Sequence, residues 1–137
     1  MKKLIRTGLL TGIAMLVVNV LLNPLFNAIF PNLQTAYETN PVFRPWEDPI
    51  MMLFFAYPIV LGLVFAWIWD KSKTLFAGSD LKKGLNFGLI FFFVSGLPGF
   101  IINYSSFKLP LVMILTWTIM SLVNGIVGGI VLAKLNK

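Results

Sequence analysis

The sequence predicts an all-α membrane protein, a bundle of four transmembrane helices, and three observations carry that prediction. Of its 137 residues, 58% are hydrophobic and only 12% are charged, with a mean hydropathy of +0.86; soluble domains carry roughly 25% charge. Four runs, about residues 8–30, 50–69, 84–103 and 109–133, contain no Asp, Glu, Lys or Arg. Each is long enough to cross a hydrocarbon core of about 30 Å as a helix. The basic residues stand in short groups between the runs, as the positive-inside rule expects. One domain, residues 1–137, is expected.

Residues Met1 to Thr7 supply Lys2, Lys3 and Arg6 ahead of the first run. A cleaved signal peptide starts in the same way, but this apolar stretch passes 20 residues and no clear small-x-small cleavage site follows, so a retained helix is expected. Asn19, Asn23 and Asn27 recur every four residues and share a stripe of it. Pro24 removes one backbone hydrogen bond, which predicts a kink in the outer part.

Residues 31–49 form the longest polar segment. Pro41, Pro45 and Pro49 argue against a continuous helix, while Tyr37, Phe43 and Trp46 suit a loop at the membrane–water interface. The second run carries Tyr57-Pro58 in its outer half and ends on Trp67 and Trp69 beside Asp70. Residues 70–83 form a connector in which Lys71, Lys73, Lys82 and Lys83 outnumber Asp70 and Asp80. Lys82-Lys83 open the third run, which holds Gly-Leu-Pro-Gly at 96–99, read as a kink comparable to that at Pro24. A short turn at 105–108 leads to the fourth run.

Orientation follows from a count. With both termini inside, one side holds Lys2, Lys3, Arg6, Lys71, Lys73, Lys82, Lys83, Lys134 and Lys137, and the other only Arg44 and Lys108. That asymmetry predicts an N-in, C-in protein of the prokaryotic plasma (inner) membrane. The net charge of +6 is accounted for in this way. Because the bases are not gathered in one patch, nucleic acid is not expected as a partner.

Runs one and three open alike, Arg6-Thr7-Gly8-Leu9-Leu10-Thr11-Gly12 and Lys82-Lys83-Gly84-Leu85-Asn86-Phe87-Gly88. Runs two and four share Leu61-Gly62-Leu63-Val64 and Asn124-Gly125-Ile126-Val127. The pattern admits a tandem repeat of two helical hairpins; the alternative is a chance match, since Gly and Leu are abundant in membrane helices.

The small-xxx-small sets Gly8/Gly12, Gly62/Ala66, Gly84/Gly88 and Ser121/Gly125/Gly129 suit close helix packing within one bundle or, alternatively, homo-oligomerisation. Asn19, Asn23, Tyr57, Ser95, Ser121 and Asn124 could line a polar interior or ligand pocket, or else serve as hydrogen-bonding glue between helices. With no intramembrane acid or base, proton-coupled transport is disfavoured. The absence of Cys and His removes thiol chemistry and the usual general base and metal ligand. Glu38, Glu47 and Asp48 with Arg44 supply too few oxygens for a hard cation. No cofactor, metal site or catalytic residue is expected.

Lys-Gly-Leu-x-Phe-Gly-Leu followed by Gly-Leu-Pro-Gly, with the Gly-rich fourth run, resembles a group of small four-helix prokaryotic integral membrane proteins, mainly over residues 60–133. The resemblance implies the architecture and brings no activity or binding residue. The expected function is that of a non-enzymatic polytopic protein acting by packing against itself, lipid or a membrane partner. A small channel or carrier for a neutral or lipid-like ligand is the first alternative, and a loop-based enzyme the second.

Overall fold

A segment surrounded by apolar material must satisfy its backbone N–H and C=O groups internally, and for a single run only a helix does so. The computed structural model of the chain describes residues 1–136; Lys137, counted above among the basic residues of the inner side, lies outside them. Its elements are α1 (Lys2–Ile29), α2 (Asn32–Thr39), α3 (Met52–Ser72), α4 (Asp80–Phe91), α5 (Leu97–Ser106) and α6 (Leu111–Leu135), with no strand among the described residues. Short 3₁₀ turns, Pro49–Met51 and Lys73–Leu75, extend α3, and a π segment, Phe92–Gly96, joins α4 to α5. Four continuous helices result, Lys2–Ile29, Pro49–Leu75, Asp80–Ser106 and Leu111–Leu135, each long and apolar enough to cross a membrane.

The π segment explains how the third helix passes Pro98. A proline ring crowds the carbonyl four residues back and offers no N–H to it. Here the Leu97 N–H reaches back five residues to Phe92, widening the turn just before the proline. Ser79 starts α4 by accepting from the Lys82 N–H, and Asp48 accepts from the Ile50 N–H ahead of α3, two side-chain caps.

The helices pair antiparallel. Gly8 lies against Leu63 and Gly12 against Ile59, joining α1 to α3; Gly84 lies against Gly129 and Gly88 against Gly125, joining α4 to α6. A Cβ on Gly88 would stand 2.6 Å from the Gly125 carbonyl carbon, and one on Gly62 2.5 Å from the Gly8 carbonyl oxygen. Only glycine permits backbones so close. A third seam joins α1 to α6, where Gly128 accommodates Met15 and Phe65. Helix α6 therefore touches α1, α3 and α4.

One end of the bundle carries the start of α1, the end of α3, the start of α4 and the end of α6, and is called the lysine end here. Its core is aromatic: Phe65 packs on Phe87 and Phe91 at ring distances of 5.3 and 4.5 Å, and Trp69 stacks on Phe76 at 5.5 Å. At the opposite, loop end, Phe26 of α1, Leu33 of α2 and Met113 of α6 form a second core. The Pro-rich segment thus contains an unexpected helix. Its eight residues lie between Pro31 and Pro41, free of proline, with a Gln34–Glu38 hydrogen bond one turn apart. Trp117 of α6 donates its indole N–H to the Tyr37 hydroxyl, and Phe43 packs against both rings.

Candidate functional site

Away from the loop, polar groups of the described residues gather in the middle of the α1–α6 seam and at the lysine end. In the seam, Met15 faces Gly128 near the lysine end, and Phe26 shares a core with Met113 near the loop end. The helices run antiparallel, so one turn from the Met15–Gly128 contact brings Asn19 level with Asn124. Asn124 is 2% exposed and Asn19 is half-buried. The side-chain oxygens of both are buried and have no hydrogen-bond partner among the described residues. An unpartnered buried polar group costs about 1–3 kcal/mol, which is the scale on which a donor reaching these oxygens would count.

The other polar residues of the spans do not gather there. Ser121 is half-buried, with its hydroxyl against Gly96 of the π segment. Asn23, Ser95 and Tyr57 are exposed, Tyr57 by 55%. Residues four apart on a helix advance about 40° around its axis, so Asn23 lies off the seam face, while Asn27, one turn further on, is half-buried. The packing residues Gly8, Gly12, Gly62, Ala66, Gly84, Gly88, Gly125 and Gly129 are all buried, within this one bundle.

In the loop, Arg44 pairs with Asp48 at 2.7 Å. The Asp48 carboxyl is held below its ordinary value by the Ile50 N–H first and by the Arg44 hydrogen bond second. Its oxygens are thus occupied by protein donors, and no group of three acidic side chains comes together among the described residues.

Sequence reasoning passed over the lysine-end pocket. Trp69, 1% exposed, donates its indole N–H to the Asn136 backbone oxygen at 2.8 Å. Asn136, 2% exposed, accepts from Lys73 Nζ at 3.2 Å and donates to Asp70 at 3.4 Å. Lys73 also pairs with Asp70 at 3.4 Å. Beside this network lies a pocket of about 370 Å³ whose lining includes Trp69, Phe76, Lys73, Lys83, Asp80 and Asn136. Its residues come from two stretches far apart in the chain, residues 69–83, which run from the end of α3 through the connector into α4, and residues 133–136 at the end of α6. The lone sequence signal was the cluster of connector lysines.

Comparison with known protein families, with curated proteins and with solved structures found no match.

Proposed function

We propose that the chain is a non-enzymatic polytopic membrane protein of the prokaryotic plasma membrane. Its lysine end faces the cytoplasm, and it acts by presenting apolar helix surface to lipid or to a membrane-protein partner. One observation supports this above the rest. Six consecutive residues, Met52 to Tyr57, are exposed, which is more than a full turn of α3. A helix lying along its own bundle buries one face; this stretch buries none. Across the bundle, Phe93, Val94, Ile101 and Ile102 are exposed as well. The glycines of the small-xxx-small sets are used in contacts within the bundle, so self-association through them is the weaker form of the reading. The similar openings of α1 and α4, both packed through paired glycines, accord with a tandem hairpin repeat.

Photo-crosslinking in native membranes tests the reading. A photoreactive residue at Phe54 is expected to give a discrete protein adduct that the same residue at Val20, a 56% exposed position on α1, does not. If both positions crosslink to lipid alone, the partner form of the proposal fails; a periplasmic reporter active at Lys73 would overturn the orientation.

The unpartnered oxygens of Asn19 and Asn124 favour a second reading, a small carrier or channel whose neutral or lipid-like ligand supplies hydrogen-bond donors. Under it, the double substitution Asn19→Leu, Asn124→Leu removes a copurifying ligand and lowers thermal stability. Under the first reading the same substitutions leave stability unchanged or raise it, because two buried oxygens without a partner among the described residues are gone.

A further inference from the structure

We propose that the lysine-end pocket is a binding site for a phosphate-bearing group, the headgroup of an anionic phospholipid being the source its position favours. The volume, about 370 Å³, lies in the range of small-molecule sites. Lys73 and Lys83 both line it, and ammonium groups bind phosphate as point charges. Lys73 is held in place by Asp70 and Asn136. Lys83 is half-buried and makes no ion pair or hydrogen bond among the described residues. The pocket thus has one fixed cation and one whose charge is not committed to the protein. The half-buried ring of Phe76, backed by the buried Trp69 on which it stacks, forms an apolar wall, suited to the carbon skeleton that carries a headgroup phosphate. Asp80 also lines the pocket. Lys71, Lys82 and Lys134 lie near the same end and would concentrate anionic lipid around the opening.

The test uses the full chain in detergent, with native mass spectrometry of lipid adducts. Phosphatidylglycerol is expected to be retained at least fivefold better than phosphatidylcholine. Lys83→Gln should reduce that retention about fivefold, the equivalent of the ~1 kcal/mol one lysine contributes near anionic lipid. Lys3→Gln, at the same end but outside the pocket, should leave it unchanged. Inorganic phosphate at millimolar concentration distinguishes the sources: competition with the lipid assigns the pocket to free phosphate, and its absence assigns it to the headgroup. Equal retention of the two lipids, or equal losses in Lys83→Gln and Lys3→Gln, would overturn the site, leaving only diffuse charge. Thermal unfolding of each variant without lipid separates a lost site from a lost fold.

Discussion

The glycine seams make the sharpest prediction about what holds the bundle together. In Gly88→Ala the new methyl group would stand 2.6 Å from the Gly125 carbonyl carbon and oxygen and from the Ile126 nitrogen. Ordinary contact begins at 3.4 Å, so the shortfall is about 0.8 Å (3.4 − 2.6). All three neighbours are backbone atoms, so no side chain can swing aside, and α4 and α6 must separate by roughly that distance. A gap of 0.5–1 Å forfeits a quarter to a half of each dispersion contact it opens, and overpacking of this kind costs about 1–3 kcal/mol. Where no hydrophobic effect drives helix to helix, those contacts carry the association. Gly99→Ala is the control, because nothing lies within 4 Å of the added carbon; alanine's better helix propensity makes it neutral or stabilising by up to about 1 kcal/mol. Both variants would be unfolded by sodium dodecyl sulfate titration in mixed micelles, followed by far-UV circular dichroism. Close packing predicts a lowered midpoint for Gly88→Ala and not for Gly99→Ala. If the two behave alike within about 0.5 kcal/mol, a margin typical of surface substitutions, the seam is not as close as described and the argument fails.

Further outcomes can be checked in the same preparation. Trp69→Phe keeps an aromatic ring, though a smaller one, and leaves the Asn136 backbone oxygen without its indole donor. It should cost about 1–2 kcal/mol and speed hydrogen exchange at the last turn of α6. Tyr37→Phe removes the hydroxyl that accepts from Trp117; the expected loss of about 1 kcal/mol should appear as faster proteolysis within residues 31–49, with the four long helices intact. Asp48 makes the loop pH-dependent. Its folded-state pKa lies below the ordinary 3.8, so its stabilisation is fully present above that value and is lost as pH falls through the lower folded value. Acidification from pH 5 to pH 2 should therefore loosen the entry to α3 in the wild type more than in Asp48→Asn, and an identical response in both would exclude the effect.

The long helices were legible because length and apolarity alone decide whether a segment can span. The glycines were legible as contacts, since a missing side chain marks where backbones meet whatever surrounds them. Which face of each span points inward was much harder to read. Lipid is as apolar as a protein core, so periodicity in a spanning helix hardly separates the two; Asn23 and Asn19 look equivalent in sequence, yet one is exposed and the other half-buried. Helix α2 was missed because Pro41, Pro45 and Pro49 set the reading of the whole loop, although Asn32–Thr39 contains none of them. The Gly-Leu-Pro-Gly stretch announced an irregularity, but the π segment sits on the preceding Phe92–Gly96, where the helix adjusts before meeting the proline ring. The lysine-end pocket depends on Asn136 reaching Trp69 and Lys73 across 67 and 63 positions of chain, a meeting that local pattern cannot announce.

The central place of α6 has a consequence for how the protein is made. It is the last of the four long helices to leave the ribosome, yet it is the partner on which α4 closes its glycine seam and against which α1 places Met15. While α6 is still being synthesised, α1 and α3 can already lock together through Gly8, Gly12 and Gly62, because both halves of that seam exist. Helix α4 has no such companion, and Gly84 and Gly88 must wait as an open notch for Gly125 and Gly129. The nascent chain therefore passes through a stage with one finished hairpin and one unpaired helix. A chain ending before residue 111 would be held at that stage, its notch available to any membrane helix with a matching small-residue face.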